Sequence, residues 1–264
     1  MTGDLCAEAI RAALSTRVIG QRVHFWPSIG STNDELKRLA DAGAPEGTLA
    51  IADHQHAGRG RLQRRWEASA GTSLLLSILF RPLFLAPDRA QLLTMLCALA
   101  ACDAVRRVTG LRPDLKWPHD LVLQGKTLAG ILTELACEPD GERLSWVVVG
   151  LGLNVNQDFD AWPELAETAI SLKLALGRPM PRLPLLQALL AEVEARYEAL
   201  RAGRSPQPEW AARLVALGQI VVVTSGERII HGVAEGVDEA GALLLRLPDG
   251  TQERILTGDV SLVH

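Results

Sequence analysis

Apolar side chains recur along the chain with two periods, and the switches between them mark out its elements. Asp4 to Leu14 reads as one short amphipathic helix. Thr32 and Glu35 have capping-box spacing ahead of Leu36 and Leu39, which predicts a helix from near Thr32 to around Gly43. Leu49 to Asp53 and Leu74 to Phe80 predict strands, separated by a polar, Gly-rich loop over 58–73. After Pro87, the segment Asp88 to Val108 carries Leu92, Leu96, Leu99 and Ala100 at helical spacing and predicts a core helix packed on a sheet. Leu115 to Leu123, Leu128 to Cys137 and Leu144 to Leu153 predict strands of a mixed or antiparallel sheet, the last two joined through Pro139, Asp140 and Gly141. Leu183 to Ala202 predicts a second long helix, and the Pro-containing segment Gly203 to Pro208 reads as a boundary. Beyond Leu217 the runs shorten to β-type segments at Ile220–Thr224, Arg228–Glu235, Ala242–Leu247 and Gln252–Leu256, which suits a small β-barrel. The expected architecture is α+β over residues 1–214, followed by an all-β unit over 215–264.

Composition narrows the function classes. With 264 residues, 48% hydrophobic and 22% charged, the chain is ordinary globular protein, and disorder, collagen and coiled coil are excluded. The 27 Lys and Arg against 31 Asp and Glu give a net charge of −4, so polyanions are repelled overall and any anion site must be local. DNA binding is not expected. Asp4, Glu8, Arg11 and Arg17 interrupt any export signal, and the most apolar stretch, Leu92 to Cys102, falls short of the roughly 20 residues a bilayer requires. No membrane association is expected, and a cytoplasmic location is. Cys6, Cys97, Cys102 and Cys137 form no CxxC pair and lie far from His at metal-ligand spacing, which suits reduced, mostly buried thiols.

Within this acidic chain, Gly58-Arg59-Gly60-Arg61-Leu62-Gln63-Arg64-Arg65-Trp66 is strongly basic. Glycine frees backbone N–H groups to converge on an anion, arginine supplies planar forks for phosphate or carboxylate, and tryptophan offers a face to a base. Arginines this dense repel one another unless something neutralises them, which favours an anion site over a solvated loop. Gly125-Lys126-Thr127 ends like a P-loop, but Asp120 stands where the first glycine belongs and a strand-like segment follows. Gly150-Leu151-Gly152 fails as a dinucleotide fingerprint because Val155 occupies the third glycine position. Lys116 and Asp120 flank the rigid turn Trp117-Pro118-His119, where a plain surface ion pair is as good a reading as a functional one; Asn154 and Asn156 suit a turn or a ligand equally.

In chain order, the motifs are Ser31-Thr32-Asn33, Gln55 with the basic Gly loop and Trp66, Lys116-Trp117-Pro118-His119-Asp120, Leu128-Ala129-Gly130-Ile131-Leu132, and Gly150-Leu151-Gly152-Leu153-Asn154. Together they resemble the biotin–protein ligase (biotin–[acetyl-CoA-carboxylase] ligase) family, by motif over about residues 25–160 and by layout over the whole chain. The resemblance implies an α+β catalytic domain with a C-terminal SH3-like barrel. It also implies the monofunctional type, lacking an N-terminal helix-turn-helix. The implied reaction makes biotinyl-5'-AMP from biotin and ATP, with Mg2+ accompanying the nucleotide, and then biotinylates a lysine of a biotin carboxyl carrier domain. By resemblance Ser31, Thr32, Asn33, Gln55, Gly60 and Gly130 hold biotin, and Arg59 and Arg61 bridge its carboxylate and the phosphate. Arg64, Trp66 and Asn154 contact ATP or the adenylate, and Lys116 with Asp120 serves the phosphate and the incoming lysine.

Three departures stand out. His119 replaces the family's Asn, His56 its Thr, and Thr127 the Lys that meets biotin's carboxylate. Lys126 lies one residue earlier, on the opposite face of a regular strand, and is expected to substitute through a bulge or the preceding turn. A lipoyl or octanoyl transferase of the same fold and a non-catalytic biotin sensor are the rival readings; a homodimer is compatible with the sequence.

Overall fold

A computed structural model describes residues 5–60 and 64–263. Helix α1 (Ala7–Ala13) is followed by β1 (Val23–Trp26), α2 (Thr32–Asp41), β2 (Leu49–Ala52) and β3 (Ser73–Phe80). A single 3-10 turn at Pro87–Arg89 leads into α3 (Gln91–Thr109). Next come β4 (Asp114–Lys116), β5 (Asp120–Leu123), β6 (Lys126–Cys137) and β7 (Leu144–Asn154). Helices α4 (Pro163–Ala166), α5 (Leu172–Leu176), α6 (Arg182–Arg201) and α7 (Gln207–Ala212) precede strands β8 (Ile220–Ser225), β9 (Arg228–Val237), β10 (Leu243–Arg246), β11 (Gln252–Ile255) and β12 (Asp259–Leu262).

The first seven strands form one sheet in the order β1-β2-β3-β7-β6-β5-β4, mixed because β1 and β2 run parallel while the other pairs are antiparallel. The last five form an antiparallel SH3-like unit in the order β11-β10-β9-β8-β12. β3 is buried at all eight positions, as befits a strand covered on both faces. One hydrophobic cluster runs from Leu74 and Leu76 through α3 and α6 to Val221, Leu243 and Leu245, so both sheets share a core. The buried Trp117 indole donates to the carbonyl of Gly241 at 2.9 Å and ties the β4–β5 turn to the C-terminal unit.

Several expectations shift. The first helix spans Ala7–Ala13; Asp4 lies outside the described residues. The N-cap of α2 is Ser31, whose side chain makes no cap bond, and Thr32, expected to open a capping box, is the first helical residue with its hydroxyl donating to Gln55. The predicted strand Leu115–Leu123 is two strands, since Pro118 cannot continue a ladder. The last two residues of the Gly203–Pro208 boundary begin α7, whose Trp210 is buried in the shared core. Of the cysteines, Cys97 and Cys102 are buried, whereas Cys6 and Cys137 are exposed.

Candidate active site

The parallel pairing of β1 with β2 continues past the strands, with Ile29 bridging to Gln55, and this lays Gln55 against the start of α2. The Gln55 carbonyl oxygen accepts from the Thr32 N–H at 2.7 Å and the Thr32 hydroxyl at 3.0 Å. Ser77 on β3 lies 2.8 Å from Thr32 Oγ1 and 2.6 Å from Asn33 Oδ1. Asn33 donates to the Leu132 carbonyl and to Glu134, so this buried amide is held by the protein on every side described.

Beside it β6 and β7 are glycine-lined, and the reason is close approach. A Cβ at Gly150 would lie 2.1 Å from Asn33 Oδ1, and one at Gly152 2.5 Å from the Trp66 ring. The basic segment, expected as a loop, has its two described sides paired with each other. Arg59 bridges to Arg65, Gly60 N–H donates to the Arg64 carbonyl at 2.7 Å, and Trp66 N–H donates to Gly58 at 3.1 Å. This hairpin swings Trp66 onto Gly130 and Gly152.

Between the hairpin and the glycine-lined strands lies a cavity of about 230 Å³. Ser31, Thr32, Asn33, Gln55, Gly60 and Gly130, expected around biotin, all line it. So do Arg59, Arg64, Trp66 and Asn154 from the nucleotide set, and Asp120, expected to serve the phosphate and the incoming lysine. Apolar walls come from Leu76, Ile131, Leu151 and Phe159. Two buried polar atoms on these walls, Trp66 Nε1 and Asn154 Oδ1, have no hydrogen-bond partner among the described residues, leaving one donor and one acceptor for a ligand.

The described arginines are neutralised by carboxylates that the sequence reading did not foresee. Arg59 lies 2.6 Å from Asp34 and 2.9 Å from Glu134. Glu134 also holds Lys37 at 2.7 Å. Burial pushes the Glu134 carboxyl up, but hydrogen bonds from Lys37 and Asn33 and the charges of Arg59 and Lys37 outweigh it and hold the group below its usual range. Arg64 pairs with Asp259 of β12, and Arg65 lies 3.6 Å from Glu67. Density of arginines is therefore no evidence by itself of an external anion. Arg61 lies outside the described residues.

Two expected residues are placed elsewhere. Lys126 does not reach the cavity; its ammonium donates to the Ala166 carbonyl at 2.7 Å, on the last residue of α4, where a cation meets the carbonyl end of a helix. Thr127 lines the cavity instead, and its N–H donates to Thr168 at 2.8 Å. A bulge does exist, but Leu128 is its extra residue, so it comes after Lys126 and brings Thr127 and Gly130 to one wall. Lys116 is not among the lining residues, although it stands directly opposite Asp120 in the β4–β5 register, on the same face.

A second, open cavity of about 700 Å³ lies between β6, the start of α3 and the C-terminal sheet, and shares His119, Ile131 and Leu132 with the first.

The sequence matches the Biotin/lipoate A/B protein ligase family over residues 25–154 and the Biotin protein ligase C terminal domain over 216–263, which places the fold and cavity in the class of cofactor–protein ligases. The chain is 35% identical over 263 residues to the bifunctional ligase/repressor BirA of Bacillus spizizenii, covering 98% of this chain and 80% of that protein. It is 36% identical over 239 residues to the biotin–[acetyl-CoA-carboxylase] ligase of Mycobacterium tuberculosis, covering 88% and 85%. The biotin protein ligase of Aquifex aeolicus, solved with biotin and ATP, superimposes with a TM-score of 0.77 at 28% identity, over 92% of this chain and 99% of that one. The chain belongs to the biotin–protein ligase family.

Proposed function

We propose that this chain is an ATP-dependent biotin–[acetyl-CoA-carboxylase] ligase, working in two steps at the cavity under the arginine hairpin. The observation that carries this reading is a half-apolar cavity holding an unpartnered donor and acceptor beneath guanidinium groups. In the first step a biotin carboxylate oxygen attacks the α-phosphorus of ATP; an O–P bond forms and the bond to pyrophosphate breaks. Magnesium arrives with the nucleotide as part of that substrate.

Two anions must touch, so the protein's task is to cancel their repulsion. Arg59 suits it, since it already bridges two carboxylate groups, and a biotin carboxylate with a phosphate would replace them. Arg61 is assigned the same task by resemblance. Ser31, Thr32 and Gln55 would hold the ureido end, supported by their shared wall. Trp66 and Asn154 would contact the adenylate through the atoms now unpartnered. Asp120, with Lys116 across the strand pair, would serve phosphate and lysine.

The acceptor is a biotin carboxyl carrier domain. Among the described residues, β6 beyond Gly130 has no strand partner on its outer side, and this free edge borders the second cavity, where a hairpin carrying the lysine can dock by strand addition. Labelled biotin, ATP and carrier domain test the reading. Pyrophosphate release that requires biotin, together with a labelled carrier, is expected. A carrier labelled only from octanoate or lipoate would mean transfer of another acid, and biotin binding without pyrophosphate would mean a sensor.

A further inference from the structure

Four charged side chains beside the cavity close into a ring. Asp34 and Lys37 come from α2, three residues apart and so on one face of the helix, Glu134 from β6 and Arg59 from the basic segment. Arg59 lies 2.6 Å from Asp34 and 2.9 Å from Glu134, and Lys37 lies 2.7 Å from Glu134 and 3.0 Å from Asp34. Each cation thus bridges both carboxylates, and the four charges balance. Arg59 lines the cavity, whereas Asp34, Lys37 and Glu134 stand outside its lining residues. Asp34 and Arg59 are the more exposed pair, Lys37 and Glu134 the more buried. Burial works against the Lys37 charge, but its hydrogen bonds to Glu134 and Asp34 outweigh that and the repulsion of Arg59, and hold the ammonium above its ordinary value.

On the ligase reading above, Arg59 exchanges these two carboxylates for a biotin carboxylate and a phosphate. What it leaves behind decides how readily it goes. With Lys37 in place, its departure leaves Asp34 and Glu134 sharing one cation, so that one negative charge is uncompensated. Without Lys37, two would be left beside the incoming anions.

We propose, on that reading, that Lys37 is a positioning residue acting through Arg59: by neutralising Asp34 and Glu134 it frees the guanidinium for the substrate anions. Asp34 works in the opposite sense, as the exposed carboxylate that holds Arg59 back. Glu134 is the fixed end of the ring, since Lys37 and Asn33 both donate to it independently of Arg59.

The test is calorimetric titration of biotin, together with KM and kcat for biotin-dependent pyrophosphate release, at about 50 mM and about 500 mM salt. Lys37→Met is expected to raise the dissociation constant and the KM for biotin roughly 3- to 5-fold, the range open to partly exposed ion pairs, with kcat within about 2-fold of wild type. Asp34→Asn is expected to lower both by a similar factor. When Arg59 departs, the double variant leaves the same charge behind as the wild type does, so the two effects should cancel. Lys37→Arg keeps the charge and should behave as wild type, and all the differences should fade at the higher salt. A lysine that merely braces α2 against β6 would instead give losses that add in the double variant and persist in salt. That result, or unchanged biotin affinity in Lys37→Met, would overturn the proposal and leave the ligase reading standing. Wild-type protein that neither binds biotin nor releases pyrophosphate would overturn the ligase reading itself.

Discussion

Arg59 meets two carboxylates of its own chain, and that contact sets what its loss should do. Asp34 is half exposed, so the pair contributes only about 0–1 kcal/mol and yields readily to a better-placed anion. Arg59→Ala is expected to slow biotin-dependent pyrophosphate release by roughly 100- to 1,000-fold. Unchanged release would detach the guanidinium from adenylate formation. Gly150→Ala drives a methyl against Asn33 and should cost about 1–3 kcal/mol while weakening biotin binding, read by melting and by calorimetric titration. Burial pushes the Cys97 thiol well above its ordinary range and the Cys102 thiol up to about 12, despite the opposing charge of Arg213. A thiol reagent should therefore label Cys6 and Cys137 quickly in the folded protein, and Cys97 and Cys102 only after unfolding. At this scale the sequence was most readable where chemistry and position coincide. Gln55, Trp66 and Asn154 stood out by motif and line the cavity. Glu134 did not, because its partners Asn33, Lys37 and Arg59 are brought to it only by folding over long separations. Lys126 was misplaced because the position of a bulge depends on strand pairing, which one sequence does not reveal.

Among elements, the long periodic segments were legible, whereas some of the short ones were not. α3 and α6 carry enough turns for an apolar stripe to declare itself, whereas β1 has four residues, three of them half-buried, and offers no clean alternation. α4, α5 and β12 are likewise too brief to register. The bridge between Arg59 and Arg65 was hidden by the composition around it, since glycine and arginine suit a loop as well as a bridge. One inter-element tie is open to measurement. Glu194 on α6 accepts from the backbone N–H groups of Arg17, Val18 and Ile19 at 2.7, 2.7 and 2.8 Å. Glu194→Ala strands those donors and should cost on the order of 3 kcal/mol. That corresponds to a melting temperature lower by roughly 6–12 °C. A change within error would show that water replaces the carboxylate.

At the scale of the molecule, the shared core predicts a single calorimetric transition, without early melting of the C-terminal strands. Acid should erode it in a defined window. Burial pushes both Glu134 and Asp103 up, but Lys37, Asn33 and Arg59 around the first, and Arg213 and Arg196 around the second, hold each below its ordinary value. Carboxyls depressed in the folded state contribute fully above the unfolded values near 4 and lose that contribution as pH falls through the folded ones. The melting temperature should thus be insensitive to these two groups from pH 7 to about 5 and fall below about 4. A profile flat to pH 3 would contradict the depressed values.

The ion pair between Arg64 and Asp259 joins positions 195 residues apart. A chain emerging from the ribosome thus presents its arginine flap long before the acid that steadies it has been translated. Synthesis stopped just short of β12 would leave a nearly full-length polypeptide whose substrate pocket still lacks part of its rim.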